Sequence, residues 1–144
     1  DLPLTVEDLT GLELENYSYE RTEYNSPLLG YLWGNQWYLS IAGAGDLGLS
    51  YEVVTVRAPF LYDWCLSECL EEYEKYPDRE YRPEDPSPWN AQAAYRLWWD
   101  GEADDRWLLC WEDRIVKLNA DWVLTDQQKE IAAERLTDLT KDEK

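Results

Sequence analysis

The spacing of hydrophobic and polar positions changes several times along the chain, and each change marks an element. Thr5-Val6-Glu7-Asp8-Leu9-Thr10-Gly11 has the signature of a single helical turn: Thr5 caps it, Asp8 answers three residues on, and Gly11 stops it. Leu14 to Glu23 carries Tyr17 and Tyr19 in a polar alternation and reads as a strand. Asn25-Ser26-Pro27 is a turn. Tyr31-Leu32-Trp33 and Gln36-Trp37-Tyr38-Leu39 flank Gly34-Asn35, which fits a hairpin or a bulged strand. Ala42 to Gly48 reads as a glycine-rich loop, and Leu49 to Arg57 as a strand around Val53, Val54 and Val56.

Ala58-Pro59 opens a helix that runs to about Lys75, with proline in the first turn where its missing N–H is harmless. Leu61, Tyr62, Cys65, Leu66, Cys69, Leu70 and Tyr73 fall on one half of that helix, and the acids lie mostly opposite. Tyr76 to Trp89 contains Pro77, Pro83, Pro86 and Pro88, which excludes a helix or a central strand and reads as a long connection. Ala93 to Trp99, Arg106 to Trp111 and Ile115 to Leu118 then form a three-stranded antiparallel meander. Thr125 caps a last helix, Gln128 completes the box, and Leu124, Ile131, Ala132, Leu136 and Leu139 make its apolar stripe. Lys141 to Lys144 reads as a charged tail.

Strands and helices occur in separate runs, which predicts an α+β fold. The expected architecture is an antiparallel sheet of five or six strands with two helices packed on one face, the other face half exposed. At 144 residues the chain is one domain, and 44% apolar content is enough for one core. The chain contains no Met and begins Asp1-Leu2-Pro3, so it is expected to be trimmed from a longer chain.

Composition removes several functions. The net charge of −18 repels phosphate backbones and anionic lipid, which argues against nucleic-acid and membrane-surface partners. No apolar run reaches the roughly 18–20 residues of a membrane span. There is no histidine, so imidazole acid–base chemistry, Ser-His-Asp and Cys-His sites and His-ligated metals are excluded.

Four stretches carry a family resemblance. They are Ser26-Pro27-Leu28-Leu29, Ala58-Pro59-Phe60-Leu61-Tyr62-Asp63, Asp85-Pro86-Ser87-Pro88-Trp89, and Leu109-Cys110-Trp111-Glu112-Asp113-Arg114-Ile115-Val116 running on to Asp121-Trp122 and Thr125. In these the chain resembles a domain of uncharacterised cell-envelope proteins of Gram-positive bacteria, often found behind a lipoprotein signal or a membrane anchor. The resemblance implies an extracytoplasmic, non-catalytic setting. It assigns no residue a role.

Cys65 and Cys69 lie four apart on the apolar side of the predicted helix, a spacing that rarely closes a disulfide within a regular helix. Cys110 sits in a strand, so two outcomes stay open: three buried thiols, or a helix–sheet disulfide in an oxidising compartment, with Cys69 and Cys110 as the pair. Asp100-Gly101-Glu102-Ala103-Asp104-Asp105 lacks the spacing of a calcium loop and reads as a solvated hairpin tip. No metal or cofactor is expected. A glycoside-cleaving carboxylate pair is permitted by composition but marked by no motif.

Nine Trp and eleven Tyr against one Phe make the chain rich in amphipathic rings. Most should fill the core. Trp98 and Trp99 must face opposite sides of their strand, while Trp107 and Trp111 share a side with Leu109. Trp64 falls among the acids of its helix. The candidate ligand contacts are Trp64, Trp89, Trp98 and Trp99, as stacking surfaces for a sugar ring or a partner's side chain. The expected function is a non-catalytic interaction domain of the bacterial cell envelope with a protein or glycan partner. The alternatives are a carbohydrate- or peptide-binding module and, third, a small hydrolase.

Overall fold

The computed structural model describes residues 2–22, 33–43, 45, 47–100 and 104–137. The turn at Asn25-Ser26-Pro27, Tyr31-Leu32, the 101–103 tip and the tail from Asp138 onward lie outside them. Helix α1 spans Val6–Thr10 and has the expected ends: the Thr5 side chain accepts from the Asp8 N–H, Asp8 accepts from the Thr5 N–H, and Gly11 closes it at φ 81°. Strands β1 (Leu14–Thr22), β2 (Trp33–Ala42) and β3 (Leu47–Val56) follow. Gly34-Asn35 continues β2 without a break, opposite Thr55 and Val54 of β3.

After a 3-10 turn at Pro59–Leu61 comes α2 (Tyr62–Leu70), then a second 3-10 turn at Glu71–Tyr73. Next are β4 (Arg79–Glu84), a 3-10 turn at Ser87–Trp89, β5 (Ala93–Trp99), β6 (Asp105–Trp111), β7 (Arg114–Ala120) and α3 (Asp126–Thr137). The expected cap of α3 is present: Thr125 Oγ1 accepts from the Gln128 N–H, and Gln128 Oε1 accepts from the Thr125 N–H.

The strands form one antiparallel sheet in the order β1-β2-β3-β7-β6-β5-β4. Two meanders, β1–β3 and β4–β7, meet where β3 pairs β7, and α2 carries the chain from the middle of the sheet to its far edge. The fold is α+β, as expected, but the sheet has seven strands rather than five or six. The extra strand is β4, hidden in the proline-rich stretch. Pro83 is tolerated there because β4 is an edge strand with one side free of ladder bonds.

A second correction concerns the helices. Alternation divides the core in two. On one face Tyr51, Val53, Trp107, Leu109, Trp111, Val116 and Leu118 pack with Trp89, with Val6 and Leu9 of α1, and with Ala132, Ala133 and Leu136 of α3. On the other, Val54, Val56, Leu108 and Ile115 pack with Cys65 and Cys69 of α2. The two long helices therefore cover opposite faces instead of sharing one. The amino-terminal segment is locked to the first face by Tyr51, whose hydroxyl accepts from the Leu4 N–H (2.9 Å) and donates to the Leu4 carbonyl (2.8 Å). On the second face the Lys117 ammonium meets Glu72 at 2.9 Å and Glu52 at 3.8 Å. Burial pulls Lys117 down, but the Glu72 hydrogen bond and the surrounding negative groups outweigh it and hold the ammonium above its ordinary value.

The Cys69–Cys110 disulfide, one of the two outcomes left open, is not formed. Cys65, Cys69 and Cys110 are all buried free thiols, the other outcome the sequence left open. Burial pushes Cys69 and Cys110 each up to about 11. Since the folded state keeps these thiols protonated while the unfolded chain ionises them from about 9, stability should fall as pH rises from 9 to 11. Alkaline denaturation of wild type against Cys69→Ala/Cys110→Ala should show a steeper decline for wild type in that window. An aromatic disulfide reagent at pH 8 should leave both thiols unmodified until the chain unfolds.

Candidate functional site

On the first face, the β4–β5 end of the sheet leaves Glu80, Arg82, Glu84 and Trp98 exposed. There the side chains of both strands stand in a short ladder. Arg82 is the direct cross-strand partner of Arg96, and Glu80 that of Trp98. The Arg82 guanidinium lies 4.5 Å from the Trp98 ring centroid while its Nε donates to Glu80 at 2.8 Å. Arg96 is anchored from below: its Nε lies 2.9 Å from Oδ1 of Asp105, the one buried carboxylate among the described residues. The other oxygen of Asp105 accepts from the Leu124 N–H at 2.9 Å, which ties the site to the loop that starts α3.

Arg82, Glu84, Arg96, Trp98, Trp99 and Asp104 line a shallow concavity of about 260 Å³. Trp98 is 40% exposed in it. Arg82, Glu84, Arg96, Trp98 and Trp99 sit on paired strands, so their positions are set by the sheet register. Two arginines face two carboxylates across the concavity, so its charges nearly cancel although the whole chain carries −18. Such a lining offers fork-like donors, carboxylate acceptors and an indole surface, with Arg82, Arg96 and Asp104 held by ion pairs to Glu80, Asp105 and Arg106.

The structure separates the four tryptophans named from the sequence. Trp98 and Trp99 come together at the concavity while leaning to opposite faces of β5, as alternation requires. Trp64 is half exposed on α2, near the 78%-exposed Phe60, and lines no part of this concavity. Trp89 is a correction: it is 0% exposed and packs 5.2 Å from Trp107, so it is a core residue rather than a contact. Arg82, Arg96, Glu84 and Asp104 were not among the sequence candidates. Arg82 lay in a stretch read as a connection, and Arg96 gains its meaning from the register alone.

Among the described residues, no three Cys, Asp or Glu side chains are placed to hold a metal ion. Among the described residues, no helix is long and apolar enough to cross a membrane. Compared with known proteins, the chain matches no family model and no curated sequence. A functional reading must therefore stand on the geometry of the β4–β5 concavity.

Proposed function

We propose that the domain is a non-catalytic glycan-binding module of the bacterial cell envelope, working outside the membrane. The observation that carries the reading is the half-exposed Trp98 flanked by cross-strand Arg82 and Arg96 in a charge-balanced concavity. An indole stacks on the C–H face of a sugar ring, and preset arginine and carboxylate groups exchange hydrogen bonds with its hydroxyls. Balanced charge favours an uncharged, hydroxyl-rich ligand over a phosphate or a cation. A peptide added to the sheet is disfavoured because β4, the free edge beside the site, carries Pro83 among Arg79, Glu80, Arg82 and Glu84. The extracytoplasmic setting comes from the resemblance to envelope proteins.

Titration calorimetry with neutral oligosaccharides, alongside the Trp98 indole N–H of wild type in NMR spectra, tests this. The expected result is saturable binding that Trp98→Ala weakens at least tenfold, about 1.4 kcal/mol, with no change in melting temperature. Equal binding by wild type and Trp98→Ala would refute the assignment, as would a Trp98 signal that no neutral saccharide moves.

A further inference from the structure

Trp99 turns to the opposite face from Trp98 and helps build a separate structure there. Its ring centroid lies 4.0 Å from the Arg79 guanidinium, its direct cross-strand partner. The same guanidinium lies 4.9 Å from the centroid of Tyr76 and 5.8 Å from that of Tyr73. Tyr73 in turn sits 6.2 Å from Tyr76 and 5.6 Å from Tyr81. Three rings from three elements, the second 3-10 turn, the connection after it and β5, thus surround one cation. Asp78 completes the enclosure, with its two oxygens 3.2 and 3.4 Å from Arg79 Nε and Nη2.

Local sterics do not force an arginine into this position. Arg79 begins an edge strand, and its side chain remains 21% exposed beside an open concavity of about 410 Å³ lined by Tyr73, Glu74, Tyr76, Glu80 and Tyr81. Several aromatic faces converging on one point attract a weakly hydrated organic cation by their quadrupoles. Glu74 in the concavity's lining, and the −18 charge of the chain, raise the local concentration of cations. Asp78 pairs with Arg79 here, and its carboxylate would be left to an incoming cation when Arg79 moves out. Arg106, 4.4 Å from the Trp99 centroid and paired with Asp104, is the other positive group at this indole.

We infer that Tyr73, Tyr76 and Trp99 form a cation cage, closed in this structure by the protein's own Arg79, that accepts a weakly hydrated organic cation when Arg79 moves out. The ligand is a quaternary ammonium or the guanidinium of an arginine side chain. Trp99 also borders the Trp98 concavity, but Tyr73, Tyr76 and Arg79 do not, so binding that Tyr73 and Tyr76 support is separable from binding at Trp98.

Arg79→Gln stops about two atoms short of the guanidinium position and removes the charge, and its melting temperature shows whether it folds. Tetramethylammonium and methylguanidinium should bind Arg79→Gln at least tenfold more tightly than wild type, read by titration calorimetry, while ammonium should not bind. Binding of methylguanidinium alone would assign the site to arginine side chains, because Asp78 can accept two of its hydrogen bonds. The inference is overturned if Arg79→Gln binds neither organic cation more tightly than wild type. It is equally overturned if adding Trp99→Leu leaves the gained affinity unchanged. Should Arg79→Gln fail to fold, wild type still decides: saturating tetramethylammonium should release the ring-current shift of the Arg79 Nε–H, and a shift that persists refutes exchange.

Discussion

Trp89→Ala should destabilise the domain by about 3–5 kcal/mol, the usual cost of deleting a large aromatic ring from a packed core. Trp89 is completely buried and its ring packs against Trp107 at 5.2 Å. It ends a 3-10 turn that begins after Pro86, and Asn90 leaves that turn in the left-handed region at φ 50°. Trp111 Nε1 donates to the Asn90 carbonyl at 3.1 Å, so a second core tryptophan holds the same segment. Removing the ring opens a cavity beneath α3 and frees the link between β4 and β5. Urea unfolding should show a lower midpoint with an unchanged slope. Trp98→Ala, by contrast, should leave the midpoint in place. A Trp89→Ala midpoint equal to wild type would show that this ring is not part of the core.

The contrast between these two tryptophans shows how far the sequence can be read. Elements fixed by local chemistry were legible: the Thr5–Asp8 and Thr125–Gln128 boxes, the Gly11 stop and the β5–β7 meander all depend on neighbours in the chain. Alternation also placed Trp98 and Trp99 on opposite faces and Trp107, Leu109 and Trp111 on one. β4 was not legible, because proline argues against a strand unless the strand lies at an edge, and edge position is a property of the finished sheet. The assignment of helices to faces was missed although a signal existed. Trp107-Leu108-Leu109-Cys110-Trp111 is apolar at every position, and such a run marks a strand buried on both faces rather than one half exposed. For the concavity, the rings could be nominated from composition, but the Arg82–Arg96 and Glu80–Trp98 pairs exist through register, which joins residues 14 and 18 positions apart.

Asp105→Ala should cost about 3 kcal/mol and disorder the concavity at the same time. The carboxylate is 1% exposed and does two jobs: it accepts from the Leu124 N–H and it holds Arg96 at 2.9 Å. Alanine leaves a buried N–H without an acceptor, a loss of about 1–3 kcal/mol, and removes the partner of a charged group. Because Arg96 is 41% exposed, its guanidinium can turn to water, so the ion pair itself adds less than a fully buried one would. Asp105→Asn keeps an oxygen for Leu124 and gives up the charge, so it should lose about half as much stability. Both variants should weaken saccharide binding, since each releases Arg96 from the position that β5 and Asp105 jointly impose. Denaturation midpoints and the same oligosaccharide titration separate the two effects. If Asp105→Asn binds sugar as wild type does while Arg96→Ala does not, Arg96 is positioned by its strand alone, and the buried carboxylate serves the fold rather than the site.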